Sequence, residues 1–504
     1  MSAGATQDNT GDQGDIAALA KGGRTNFIGF LLRLLARLPF LFIAGRLYGA
    51  DALGRFASAL VVIELIAMVC SMGEKRGLAQ RLSEGGDERP ANLVFDGMLL
   101  ALLLSCVAAL VLWFFPAPMF PSGQFTELDK LLVITIPAYA LTEILLAAQA
   151  YRYDVATTVR ARAVIEPWTI SIMAGVFFYT AWRESGLALA YIASIFAGLL
   201  AAAWPFLRSY GLPRDWRPSP QRLGRMSARA FPLAVADTIE WGTRRLDIFI
   251  LGLFAAPAAV GIYYVAQQVA SLPQKLKTSF EPILGPVITR NLKERNYAAI
   301  AAQVRQVGFW IIAAQAGIAL ALGIPGEAVL GLVGPNCVGG TGALAFLLLA
   351  EVGAATAVVS EAALVYVARK RNLAISIGTI ALQAALTVGA MLLVTRLGLG
   401  EPFKAAGAAI ALMLALGFAS LAKASLLARI LGFPVSNWRW ALVWAVAPAV
   451  LVGQVAILLP EWAELLFGIP LILFTYGWVI WHRGFGPEDR VLFRRNIGGN
   501  GPSD

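Results

Sequence analysis

About fourteen apolar stretches, each long enough to cross a lipid bilayer, follow one another along this chain, and they leave it few other ways to fold. The first runs over 25–48, the middle pair over 230–254 and 258–288, and the last over 462–481. A backbone in hydrocarbon must satisfy its own N–H and C=O groups, and stretches of about 20 residues do so as helices. The composition agrees: 58% of the 504 residues are hydrophobic and 14% charged, and the mean hydropathy is +0.69. The expected class is an all-α polytopic membrane protein with about fourteen transmembrane helices.

The net charge of +10 would suit a nucleic-acid partner, but the basic residues sit in short loops between apolar stretches. KRGLAQR, RYDVATTVRAR, RSYGLPRDWRPSPQRLGR, TRNLKER and ARKR all fall on the side of the N-terminal tail, the pattern of a positive-inside topology. Both termini are therefore expected in the cytoplasm, and nucleic acid is not an expected partner. Cys70, Cys106, Cys337 and the single His482 have no metal-ligand spacing, so no metal and no cofactor is expected. The chain contains no Walker A sequence, GxSxG elbow or HExxH helix, and its loops are too short for a catalytic domain. It reads as a non-enzyme.

A weak internal repeat divides the chain. Gly54 in LYGADALGRF and Gly261 in FAAPAAVGIY lie 207 residues apart, and the same offset relates Arg37 to Arg244 and Glu74 to Glu281. Six spans in each half give two bundles of the same orientation around a central cavity. The expected domains are a disordered cytoplasmic tail (1–24), an N-terminal bundle with a basic linker (25–229), a C-terminal bundle (230–430), an extra helix pair (431–482) flanked by tryptophans, and a second tail (483–504).

The seventh span is the most expensive. FPLAVADTIEWGTRRLDIFILGLF carries five charges, and on a helix Asp237, Glu240, Arg244 and Asp247 share one stripe while Arg245 stands to one side. The stripe reads as a wall of a hydrated cavity; the competing reading is a structural Glu240–Arg244 pair. In the first span Arg33 and Arg37 lie one turn apart, and together with Arg244 they would make the cavity positive. That points to an anionic, phosphate-bearing substrate, against the alternative of helix-to-helix ion pairs with Glu64 or Asp237. The eighth span aligns Gln267, Ser271, Gln274, Thr278 and Glu281 on one face, as cavity lining or as helix packing. Glu64, Glu143, Glu351 and Glu361 could each take up a proton or a cation, or serve only as structural hydrogen-bond partners.

RLYGADALGRFASALVVIEL with GEKRGLAQRL, and RRLDIFILGLFAAPAAVGIYYVAQQVASLPQKL, resemble the two repeated core segments of the polysaccharide-biosynthesis branch of the multidrug/oligosaccharidyl-lipid/polysaccharide flippase superfamily. The resemblance runs from about Thr25 to Leu426. It implies two six-helix bundles that open alternately to each side, and outward movement of a polyprenyl-diphosphate-linked oligosaccharide. It also implies a diphosphate site that takes in Arg33 and Arg37, and a lipid-tail groove at the helix pair beginning at Trp440. On this reading Arg244 and Arg245 join the diphosphate site, and Glu64, Asp237, Glu240, Asp247, Gln267, Gln274 and Glu281 line the cavity or couple transport. The expected setting is the bacterial inner membrane, with membrane lipids, a polysaccharide polymerase and chain-length proteins as partners. The alternatives are a cation-coupled drug or metabolite exporter of the same superfamily and, more distantly, a membrane glycosyltransferase or ligase.

Overall fold

In the computed structural model the described residues are 38–84, 89–486 and 489–490, and within them the side chains of 75, 76, 155, 236, 240 and 274–286 fall outside the description. Every regular element among the described residues is helical, which is what a run of internally satisfied backbone in hydrocarbon requires. The main helices are α1 (Gly49–Cys70), α2 (Glu74–Glu84), α3 (Pro90–Phe114), α4 (Thr135–Tyr151), α5 (Glu166–Phe178), α6 (Gly186–Tyr210), α7 (Pro220–Phe254), α8 (Pro257–Lys293), α9 (Tyr297–Gly323), α10 (Thr341–Val367), α11 (Arg369–Arg396), α12 (Glu401–Leu431), α13 (Ala441–Ala456) and α14 (Ile469–Val479).

Ten stretches among the described residues are long and apolar enough to cross a membrane. α7, α8 and the shorter α13 occupy other expected spans; α7 and α8 exceed most of the ten in length and differ from them in carrying charges within their apolar run. At 35 and 37 residues they are about 52 and 55 Å long, which exceeds a hydrocarbon core of about 30 Å. Most of the first expected span lies outside the described residues. Its end is visible as the π-helical turn Ala44–Tyr48, after which Gly49 at φ 83° redirects the chain into α1.

Two glycines that stand 207 residues apart bring the two halves into close backbone contact. A Cβ on Gly54 would lie 1.7 Å from the carbonyl oxygen of Pro257, and a Cβ on Gly261 would lie 2.0 Å from that of Ala50. Ala50 and Pro257 are themselves 207 residues apart. The contact is therefore reciprocal: α1 and α8 cross backbone to backbone, each offering a glycine to the other's first turns. A second glycine approach lies beside it, where Gly45 abuts Val333 of the segment before α10.

Alanines close the C-terminal half. α10 and α12 face one another through Ala350, Ala354, Ala357, Ala408, Ala411, Ala415 and Ala419, all buried, the small-residue packing expected where lipid tails compete with apolar side chains. α13 and α14 dock on α9, where Asn437 fills the space over Gly308 and Tyr476 the space over Gly317. Asp489, just after the last helix, fastens that end: it accepts from Trp310 Nε1 at 2.8 Å and Gln306 Nε2 at 3.2 Å, and pairs with Arg439 at 2.7 Å.

Candidate functional site

Between the two halves, at the depth of the membrane, lies a cluster of charged and phenolic side chains drawn from seven elements. Its N-terminal part is organised by Arg162. This residue lies in the π-helical turn Arg160–Ile165 that precedes α5, a local widening of the helix of the kind that recurs at functional positions. Its guanidinium pairs with Glu166 at 2.8 Å and with Glu143 of α4, and it stacks over the ring of Tyr139 at 4.5 Å. Gly198 of α6 makes the room: a Cβ there would lie 2.3 Å from Glu166 Oε1. Ser194 Oγ, one turn away, donates to the Glu166 carbonyl at 2.9 Å.

The C-terminal part is built by α7 on α8. Asp247 is fully buried and accepts from Tyr263 Oη at 2.5 Å, from Gln267 Nε2 at 3.1 Å and from the N–H of Ile248 at 2.9 Å. The same Gln267 accepts from Arg245 Nη1 at 3.3 Å and donates to the Arg244 carbonyl. Arg245 then reaches across to Glu64 of α1 at 3.8 Å, an ion pair that ties the C-terminal half to the N-terminal half. The side chains of Arg162, Glu143, Glu64 and Arg245 remain between 21% and 25% exposed. They are neither fully buried nor freely exposed. Inside a membrane span an uncompensated charge costs several kcal/mol, and mutual pairing offsets part of that cost.

Of the residues singled out in the sequence, the structure brings together Glu64, Glu143, Arg245, Asp247 and Gln267. Asp237 is buried on α7, and Arg244 is exposed. Arg33 and Arg37 lie outside the described residues, as do the side chains of Glu240, Gln274 and Glu281. The helical wheel grouped Arg244 with Asp247 and set Arg245 apart. In the fold Arg245 shares Gln267 with Asp247, because α8 lies across α7 and one amide spans the gap that the wheel leaves open. Arg162, Glu166, Tyr139, Tyr191 and Tyr263 went unnoticed. Arg162 was counted among the basic residues of a loop; the Arg–Glu spacing of four running straight into WTISIMAGVFF was the available signal for a helix carrying a pair into the membrane.

The sequence model of the polysaccharide biosynthesis protein family matches residues 43–319, more than half of the chain. No curated protein sequence matches it. Among solved structures, the lipid II flippase MurJ in an inward closed conformation superposes with a TM-score of 0.67 at 13% identity, over 91% of this chain and 99% of that one. An inward-facing multidrug resistance transporter of the MATE family, in the MOP superfamily, gives 0.61 at 16% identity, over 82% and 94%. A MOP superfamily transporter from Pyrococcus furiosus, described as having a binding pocket of reverse polarity, gives 0.55 at 16% identity, over 83% and 96%. Identities this low establish a common fold and nothing finer. With that fold, and with a family model spanning the first half and the seam into the second, the chain belongs to the polysaccharide biosynthesis protein family.

Proposed function

We propose that the protein is a flippase that carries a polyprenyl-diphosphate-linked oligosaccharide across the bacterial inner membrane, for exopolysaccharide, capsule or O-antigen synthesis. The observation that carries this reading is the Glu64–Arg245 pair between the halves, at 3.8 Å and with both side chains part-exposed. A diphosphate offers the guanidinium a bidentate acceptor of higher charge than one carboxylate, so it displaces Glu64 from Arg245 and loosens the tie between halves. Binding and opening are thereby the same event. Arg244, and Arg33 and Arg37 on the first span, would add to the positive field; Gln267 and Asp247 hold Arg245 in place. With cytoplasmic termini and an inside-negative potential, outward movement of the anion gains about 2.3 kcal/mol per charge per 100 mV. The polymerase and chain-length proteins of the same polymer would receive the product.

A second reading has its own support. Glu64, Glu143, Glu166 and Asp247 outnumber Arg162 and Arg245 in the described cluster, and a cation-coupled exporter of organic cations would use that excess. A deletion strain separates the two. The flippase reading expects surface polymer to vanish and lipid-linked oligosaccharide to accumulate on the cytoplasmic face, with slow growth relieved by blocking the first sugar-phosphate transferase. Normal polymer with new sensitivity to several unrelated organic cations would establish the exporter instead.

A further inference from the structure

We infer that Arg55, with the hydroxyls of Ser58 and Ser122, forms a second anion site at the Gly54–Gly261 end of the bundle, where the substrate's phosphates dock after leaving Arg245. The inference rests on the flippase reading and deepens it.

Arg55 directly follows Gly54, so it stands at the backbone crossing of α1 and α8. Its side chain is half-buried and forms no ion pair or hydrogen bond among the described residues, unlike Arg162 and Arg245. Two clefts open against it. One is a narrow crevice between the halves, lined by Arg55, Ser58 and Ser122 together with Gly252 and Pro257 from the α7–α8 turn. The other, equally narrow, lies inside the N-terminal half and includes Asp129 and Glu184.

The two clefts differ in the way that matters to an anion. Between the halves the lining contains one guanidinium, two hydroxyls and no carboxylate; on the far side two carboxylates share the wall. An anion is therefore attracted to the first cleft and repelled from the second. Gly252 leaves the Ser58 hydroxyl uncovered, since a Cβ at that position would stand 3.2 Å from Ser58 Oγ. The first cleft is also the one that widens when the glycine seam parts, because its walls belong to opposite halves. Arg55 and Glu64 are on the same helix, nine residues and so about 13 Å apart along the axis. When Glu64 recaptures Arg245, the displaced diphosphate has a free guanidinium within one short move toward the parted end. A phosphate group finds in Arg55 the planar fork that it lost in Arg245.

The test uses the full-length protein with Cys70, Cys106 and Cys337 replaced and Ala255→Cys as a reporter in the same cleft. Inorganic pyrophosphate is the probe, with chloride at matched ionic strength as control. Pyrophosphate should slow maleimide labelling of the reporter by roughly tenfold, less in Arg55→Lys, and not at all in Arg55→Gln. Labelling indifferent to pyrophosphate, or protection that persists in Arg55→Gln, would overturn the site. In proteoliposomes Arg55→Gln should also cut the flux of lipid-linked saccharide by roughly tenfold. Lost protection with normal flux would reduce the site to one for free phosphate and overturn its place on the path. Wild-type vesicles that move no lipid-linked saccharide would instead sink the flippase reading, and the labelling result stands apart from that.

Discussion

The two halves meet the membrane with different interiors. In the N-terminal half, Arg162, Glu143 and Glu166 make a charged knot that Glu64 extends to Arg245 across the seam. In the C-terminal half, α11 carries no charge between Arg371 and Arg396, and the face it buries is a stripe of Asn372, Thr379, Gln383 and Thr387. Thr379 and Thr387 turn their hydroxyls back onto their own helix, and Gln383 is fully buried with neither amide atom paired among the described residues. Around α5 the N-terminal half handles charge, whereas α11 offers neutral hydrogen-bonding groups and the C-terminal half keeps its charges elsewhere, on α7 and in the Glu361–Lys423 pair. A repeat that preserves helix order and the glycine crossing has thus let polarity diverge, because backbone geometry and side-chain chemistry are constrained by different things.

The sharpest break in this contrast is at Arg245. Arg245→Ala should lower flux of lipid-linked saccharide by roughly a hundredfold or more in proteoliposomes, with Arg245→Lys recovering little because the fork is lost. Near-normal flux by a well-expressed Arg245→Ala protein would remove the charged cluster from the mechanism. Next comes Arg162→Met, which leaves Glu143 and Glu166 without their cation. We expect a loss of about 3 kcal/mol of stability, read as a lower melting temperature in detergent.

Gly54→Ala or Gly261→Ala tests the seam that joins the halves. Each adds a methyl group where a backbone carbonyl already stands, so the crossing cannot close without backbone movement costing about 1 to 3 kcal/mol. Because the geometry is reciprocal, the two variants should increase thiol labelling of Ala255→Cys to a similar degree. A large effect from one and none from the other would show that the halves do not close symmetrically.

Gln383→Leu probes the neutral stripe of α11 and should do the reverse of Arg162→Met. Removing an unpaired buried amide is expected to be neutral or to stabilise by about 1 kcal/mol, measured by the same melting assay. Marked destabilisation would mean that the amide is satisfied in the membrane and the stripe is hydrated. The smallest effect concerns Asp489. Burial pushes its carboxyl up, but the Arg439 guanidinium and the N–H groups of Gly486 and Trp310 outweigh that and hold it below the ordinary carboxylate value. A depressed folded value means that the contribution is complete above the unfolded value of about 3.9 and is lost as pH falls through the lower, folded one. Proteolysis of the α13–α14 pair should therefore stay constant down to about pH 4 and rise only below it, whereas Asp489→Asn should raise it above about pH 4 and converge with the wild type in stronger acid.

Much was legible in the linear chain. Apolar stretches of bilayer length, the basic loops between them and the 207-residue offset specify helices, their order and a two-part architecture, because each depends on local hydrophobicity or on a repeated spacing. The cost of the seventh span marked α7 as a helix whose charges need partners, and Asp247 and Arg245 have them. What the sequence could not decide was partnership. Which arginine shares Gln267 with Asp247 depends on how α8 lies across α7, and no spacing within α7 alone contains that. The role of Arg162 depends on a π-helical turn one residue wider than a regular helix, and its carboxylate Glu143 comes from another helix altogether. A charged side chain in a membrane is chosen by composition, but the group that compensates it is chosen by packing, and packing is a property of the whole fold.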